Sequence, residues 1–432
     1  MQFTLTGKKP GSTLKTLFFV VVLLLILLNI FTPLRLNTDG VRYLNILEFL
    51  KGNLDGHSSA AHDFFPHGYP WFLYCLDKLH LLNPVSITLV NIISVLISAY
   101  LMALLLKIES KLLYIALVLL SFVNIKHFTL SVADQFFTLF FISSIYFWTK
   151  AFSEKLVFFI PALILTVSSI YLRTAGVSIL LGVVLYGVYC KRDLLTERKR
   201  LLIVLLIACL GLMAIFLIKL QALEKRVDYI HQLDLELLLK NPLSIFSRLL
   251  LHVKEIGEIT LNLPYDKLAS LLIFSHFDLA NICLYILGLS SFFVYYKSIR
   301  KLELYRSFIF WVSVSYLALI IIWPFYDTRF WIPIIPLLIG LSLTSLLSKP
   351  QINIFTIAPL LFYIVFGFIS ALYSDALSLN RSYFEKHYGF DPNLNSVYKK
   401  HFEDGRPVVQ KRQVFNIRQE NLSYLLEMYD RK

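Results

Sequence analysis

The chain has 432 residues, 57% of them hydrophobic and only 16% charged, with a mean hydropathy of +0.68. Soluble domains carry about 25% charged residues, and here the apolar residues gather in charge-free blocks such as 17–34. At about 20 residues per bilayer crossing the length allows roughly ten spans, which excludes a soluble enzyme, a fibrous protein and a disordered chain.

The expected fold is an all-α polytopic membrane protein with about 11 transmembrane helices, over 14–34, 84–106, 112–125, 133–149, 156–172, 175–190, 201–220, 278–296, 307–323, 331–347 and 353–373. Lys8, Lys9 and Lys15 precede the first, as in a signal peptide. Its apolar run is long, however, and ends in Asn-Ile-Phe-Thr-Pro without a small-residue cleavage site, so it reads as an uncleaved anchor. The third is short for a crossing and is expected either to be buried among its neighbours or to extend into its flanks. Three longer segments lie between or after the spans: 35–83, 221–277 and the tail 374–432. In the first, Tyr43, Leu44, Ile46, Leu47 and Leu50 recur at helical spacing within 40–53, and 70–82 is rich in aromatic and apolar residues. Both read as amphipathic juxtamembrane helices lying on the membrane surface, and 221–277 reads similarly. Residues 1–373 then form one transmembrane domain. The tail is too small for a stable core of its own and is expected to pack on the extracytoplasmic loops.

Charge sets the expected orientation. With the N-terminus inside, seventeen Lys and Arg residues fall on cytoplasmic segments. They are Lys8, Lys9, Lys15, Lys107, Lys111, Lys150, Lys155, Lys191, Arg192, Arg198, Lys199, Arg200, Lys297, Arg300, Lys301, Arg306 and Lys349. The three short outer connections hold one each: Lys126, Arg173 and Arg329. By the positive-inside rule the N-terminus is cytoplasmic, and the C-terminus is extracytoplasmic, in a plasma (bacterial inner) membrane. The formal charge of +13 is therefore no sign of a nucleic-acid partner. The four cysteines, Cys75, Cys190, Cys209 and Cys283, are scattered and suggest neither a disulfide framework nor a metal site.

Four connections bring ionisable residues to the outer edge of this bundle: Arg35-Leu-Asn-Thr-Asp39-Gly40-Val-Arg42-Tyr43, Lys126-His127-Phe-Thr-Leu-Ser131-Val-Ala-Asp134-Gln135, Tyr171-Leu-Arg173-Thr-Ala-Gly176 and Tyr326-Asp327-Thr-Arg329-Phe330. Singly, such residues are interfacial anchors or internal ion pairs as readily as functional groups. Together they suggest a site, because cations for an anionic group and a carboxylate for proton transfer are what group transfer from a lipid phosphate requires.

The segments also resemble those of the GT-C superfamily of integral-membrane glycosyltransferases, with protein mannosyltransferases and lipid A aminoarabinose transferases nearest in pattern. Asp39 with Tyr43-Leu44 is similar to their first-loop acidic motif, and His67-Gly-Tyr-Pro70-Trp71-Phe72-Leu73 to the stretch that opens their second span. Ser131-Val-Ala-Asp134 resembles the acidic residue of their second outer loop. Arg173-Thr-Ala-Gly176 is similar to a recurrent Arg-x-x-Gly, and Asp327-Thr-Arg329-Phe330-Trp-Ile-Pro333 to a late Arg-Tyr-x-x-Pro. The resemblance covers 14–340 and leaves out the tail. Two departures stand out: Gly40 follows Asp39 where many relatives have a second acid, and Gly68 and Tyr69 separate His67 from Pro70.

The resemblance implies a sugar donor linked to a polyprenyl phosphate, and a lipid, glycan or protein acceptor. It implies Asp39 as the base and Arg173, Arg329 and Lys126 as ligands of the donor phosphate. Asp134, His67, Tyr43 and Asp327 become candidates for substrate or metal binding. Asp134 reads equally as a counter-ion to Lys126. No cofactor is required; a divalent metal ion on Asp134, His62 and Asp63 is the option left by some relatives, although the histidines His57, His62 and His67 lack a recognised metal spacing. Tyr43, Tyr69 and Trp71 suit sugar stacking but read first as an interfacial belt. Asn380-Arg-Ser382 and Asn421-Leu-Ser423 match glycosylation acceptors. Competing readings are a lipid-linked-glycan flippase or transporter, a glycan polymerase, and a noncatalytic assembly protein. Transporters usually keep their charges near the bilayer midplane within internal repeats, and neither feature is evident here.

Overall fold

The structure, a computed structural model, describes residues 10–54, 58, 60–153, 156–190, 233, 240–241, 243–271, 278–347, 354–387 and 422–429. Among these the chain is helical, apart from short connections and one isolated parallel bridge between Arg35 and Leu130. The helices are α1 (Pro10–Leu28), α2 (Thr38–Leu50), α3 (Gly68–Lys78), α4 (Pro84–Leu105), α5 (Lys111–Leu119), α6 (Phe122–Phe128), α7 (Asp134–Ser153), α8 (Phe159–Leu172), α9 (Val177–Cys190), α10 (Ser244–Leu261), α11 (Tyr265–Leu271), α12 (Leu279–Lys301), α13 (Phe308–Ile322), α14 (Ile335–Leu347), α15 (Ile354–Leu379), α16 (Arg381–His387) and α17 (Leu422–Tyr429). Local chemistry starts several of them. Asn83 caps α4 by accepting the Ser86 N–H at 2.9 Å, with Pro84 at the first position, and Asp278 caps α12 through the Asn281 N–H at 3.1 Å.

Ten of the eleven predicted spans fall on helices, and 201–220 lies outside the described residues. Length separates them. Four stretches, Thr13–Phe31, Pro84–Leu105, Leu279–Lys301 and Ala358–Leu379, are long and apolar enough to cross a bilayer, and α5 with α6 makes a fifth if the bent pair is one span. The helices α8, α9, α13 and α14 are apolar but only 13 to 15 residues long. At 1.5 Å per residue each reaches about 20 Å, short of the roughly 30 Å hydrocarbon core. Among the described residues four to five spans are thus supported, and the eleven expected are not confirmed. Leu17 and Leu24 on α1, Ile286, Leu289 and Phe293 on α12, and Phe362 and Ile369 on α15 are exposed, an outward apolar face suited to lipid contact.

The short third segment resolves into a broken helix: α5 and α6 meet at a 63° bend. A break frees backbone groups that hydrocarbon cannot satisfy. Asn262, in the left-handed conformation at the end of α10, accepts the Phe122 N–H at 2.7 Å and donates to Leu120 O and Tyr363 O, both at 2.8 Å. Asn124 donates across the same break to Val118 O at 2.9 Å. The bend is therefore hydrogen-bonded into the bundle, and it aims α6 toward the site.

One expectation for the long segments is corrected and another is narrowed. The helix α2 does not lie on a surface: every residue from Gly40 to Glu48 is buried, because a second layer covers its outer side. In that layer, Tyr429 of α17 bonds to Glu48, and Lys51 reaches Tyr429 Oη at 3.1 Å and Asp77 at 3.3 Å. This is where the described end of the tail packs. The helix α10 keeps an exposed apolar side in its first half, at Ile245, Phe246 and Leu250, and buries its polar side. It packs against α12, α13 and α15 with Arg248, His252, Glu255 and Glu258 all buried. Lys15 bonds to Ser110 at 2.8 Å, so the start of α1 and the α4–α5 connection share one end of the bundle. The connections carrying the predicted site residues lie at the other ends of these helices.

Candidate active site

The first two of the four connections are joined by backbone. Besides the Arg35–Leu130 bridge, Arg35 Nη1 donates to Thr129 Oγ1 at 3.2 Å. Asn91 on α4 holds the turn after α6 by donating to Phe128 O at 2.9 Å and Leu130 O at 3.0 Å. Asn37 caps α2 through the Gly40 N–H at 2.8 Å, which sets Asp39 in the first helical turn. A Cβ at position 40 would stand 3.2 Å from Ser131 O. A side chain at this position would therefore crowd the contact, and glycine permits the approach.

Asp39 meets the fourth connection: its Oδ2 lies 2.5 Å from Arg329 Nη1. Arg329 Nη2 is also 3.2 Å from Asp327 Oδ2, and Asp327 Oδ1 accepts the Arg329 N–H at 2.9 Å. Burial works against the Asp327 carboxylate, but the Arg329 guanidinium and N–H outweigh it and hold its pKa below the usual value. Burial likewise disfavours the Arg329 cation, and Asp39 and Asp327 more than compensate, raising its pKa. Lys126 is the one exposed residue of α6; the other six are buried. It lies within electrostatic reach of Asp327, Arg35, Glu258 and Arg329.

The third connection supplies a second ion pair, Arg173–Asp134. Asp134 is thus the counter-ion of Arg173, correcting the alternative pairing with Lys126. The ring of Phe330 links the two pairs, with the guanidinium carbons of Arg173 and Arg329 each 5.4 Å from its centroid. His67 stands just before α3, whose first residue presses on the same connection. A Cβ at Gly68 would lie 2.5 Å from Tyr171 O, so only glycine fits there. Tyr43 and Tyr69 are buried, their rings 5.1 Å apart, and so belong to the core; of the expected interfacial belt, Trp71 is exposed. Tyr43 also lies within electrostatic reach of Arg329.

The metal candidates are not brought together. Asp63 receives a two-pronged bond from Arg42, at 2.6 and 2.8 Å, and accepts the Phe65 N–H at 2.9 Å. The same guanidinium stacks 3.8 Å from the Phe65 ring centroid. His62 is exposed, and His57 lies outside the described residues. Among the described residues no three His, Cys, Asp or Glu side chains converge as a metal site.

The helix α10 contributes groups absent from the sequence-based list. Glu255, fully buried, accepts the Asp327 N–H at 2.6 Å, the Trp331 indole N–H at 2.6 Å and a bond from His252 Nδ1 at 2.7 Å. His252 Nε2 in turn lies 3.0 Å from Trp323 O. Both ring nitrogens thus face oxygen atoms. This pair clamps the segment 323–331 that carries Asp327 and Arg329. One turn on, Glu258 accepts from the Tyr265 N–H and the Tyr326 hydroxyl, and burial pushes its carboxyl up to about 7. The spacing His252, Glu255, Glu258 along one helix was the available signal.

The site thus combines a partly accessible carboxylate with two guanidiniums and an ammonium, an arrangement able to bind an anionic group and take up a proton beside it. No family model matches the chain, and a search of curated proteins found no match.

Proposed function

We propose that the protein is an integral-membrane glycosyltransferase that moves a sugar from a polyprenyl-phosphate donor to an acceptor hydroxyl on a lipid, glycan or protein. The observation that carries this reading is the meeting of Asp39, Asp327 and Arg329 among apolar helices, with Lys126 within electrostatic reach of Asp327 and Arg329. The ordered resemblance of the connections to GT-C motifs supports it, as does the scarcity of basic residues on those connections, which favours an extracytoplasmic site with a cytoplasmic N-terminus.

In the proposed reaction the acceptor oxygen forms a bond to the anomeric carbon as the bond from that carbon to the phosphate oxygen breaks. The electron pair leaves on the phosphate, the anomeric centre inverts, and the hydroxyl proton passes to Asp39. Arg329 and Lys126, with Arg173 behind Phe330, stabilise the charge that develops on the phosphate. Arginine suits this task because its planar fork engages two phosphate oxygens at once.

The test is transfer by purified protein in nanodiscs, offered a panel of polyprenyl-phosphate sugars. Asp39→Asn should lower transfer or donor hydrolysis by at least about 100-fold, the scale of a lost general base. Equal activity in the variant would remove Asp39 from the reaction. Donor movement across the bilayer without bond cleavage would make the protein a flippase instead.

A further inference from the structure

The three predicted phosphate ligands do not stand in equivalent places. Arg329 Nη1 lies against Asp39 at 2.5 Å, so the proposed base and a proposed phosphate ligand are paired with each other. One oxygen of Asp39 is thereby taken by the guanidinium, and Arg329 has a donor committed to the carboxylate. Neither group is fully available in this arrangement.

The surroundings show which group is free to move. The backbone of the segment is fixed: Glu255 holds the Asp327 N–H and the Trp331 indole at 2.6 Å each, and Tyr316 Oη donates to Phe330 O at 2.9 Å. The Arg329 side chain is less committed. Its Nε is buried without a hydrogen-bond partner among the described residues, and Nη2 has only the longer 3.2 Å contact to Asp327. Asp39 keeps 24% of its side-chain surface and Arg329 12%, so an incoming anion can reach both. A phosphate offers the guanidinium the same acceptor geometry as a carboxylate, with more charge and a third oxygen.

We propose that Arg329 is an exchangeable counter-ion: it neutralises Asp39 before donor binds and turns to the lipid phosphate when donor binds, leaving Asp39 free to take the acceptor's proton. The base is then released only when a sugar phosphate is in place. This inference rests on the glycosyl-transfer reading, and its test separates the two.

Binding of farnesyl phosphate to the nanodisc-embedded protein is compared with binding of farnesol, which has the same tail and no phosphate. Removing the competing carboxylate by Asp39→Asn should tighten farnesyl phosphate binding by about tenfold, the worth of one charge-assisted hydrogen bond, even as transfer is lost. Arg329→Gln should weaken it by about tenfold, and the double variant should bind like Arg329→Gln alone. Thermal melting checks that each variant is folded, and Asp39→Ser replaces Asp39→Asn if the latter is not. Equal or weaker phosphate-dependent binding by a folded Asp39 variant overturns the exchange and leaves the transferase reading standing. Farnesyl phosphate bound no better than farnesol by every variant overturns the lipid-phosphate reading and the exchange together.

Discussion

Two arginine–carboxylate pairs flank the Phe330 ring; their guanidiniums are similarly exposed, 16% for Arg173 and 12% for Arg329, and they differ in the burial of the carboxylate. In the Arg173–Asp134 pair the carboxylate keeps only 3% of its side-chain surface, whereas Asp39, opposite Arg329, keeps 24%. A buried pair is costly to separate, because each partner leaves the other as an uncompensated charge. A pair reached by water has a substitute partner and can open. Chemically alike contacts therefore support different roles: Arg173–Asp134 ties α8 to α7, and Arg329–Asp39 is available to a ligand.

Truncating each arginine gives the sharpest test of that difference. Arg173→Ala should cost about 3–5 kcal/mol of stability by stranding Asp134. Arg329→Ala should cost about 1–2 kcal/mol, since water reaches the freed carboxylates, while lowering transfer by at least about 100-fold. Unfolding curves in detergent, read beside transfer rates, decide the matter; equal stability losses would erase the distinction. A smaller effect should come from the clamp behind Arg329 alone. Glu255→Gln presents an amide to N–H groups that need an acceptor, at a cost on the order of 2 kcal/mol. Hydrogen exchange should quicken over 323–331 and remain unchanged around Asp134. Exchange equally fast in both places would mean that Glu255 supports the whole bundle.

The smallest expected effect is on pH dependence. The Glu258 carboxyl titrates at about 7 in the fold against 4.5 ordinarily, because burial penalises its charged form. The folded state thus holds a proton that the unfolded chain releases earlier. The resulting stability is complete below about pH 4.5 and is lost as pH rises through about 7. Glu258→Gln should flatten this slope in melting experiments at graded pH. An unchanged slope would assign the dependence to another group.

The sequence by itself determined the helical membrane class, most helix positions and the residues of the four polar connections. Apolar runs such as 17–34 declare themselves because composition alone decides whether lipid or water is the better solvent. Motif order and spacing brought out Asp39, Lys126, Arg173 and Arg329 as residues to watch. Only the tertiary structure decided their partners. Asp39 and Arg329 stand 290 positions apart in the chain, and no local pattern encodes a contact between them. The same holds for Asp134 with Arg173, for Asn262 across the α5–α6 break, and for Glu255 behind the 323–331 segment. Amphipathic periodicity suggested surface helices for α2 and α10, since a polar face reads the same whether it meets water or protein. Burial depends on what else folds against that face: here Tyr429 covers α2, and the segment before α14 covers α10.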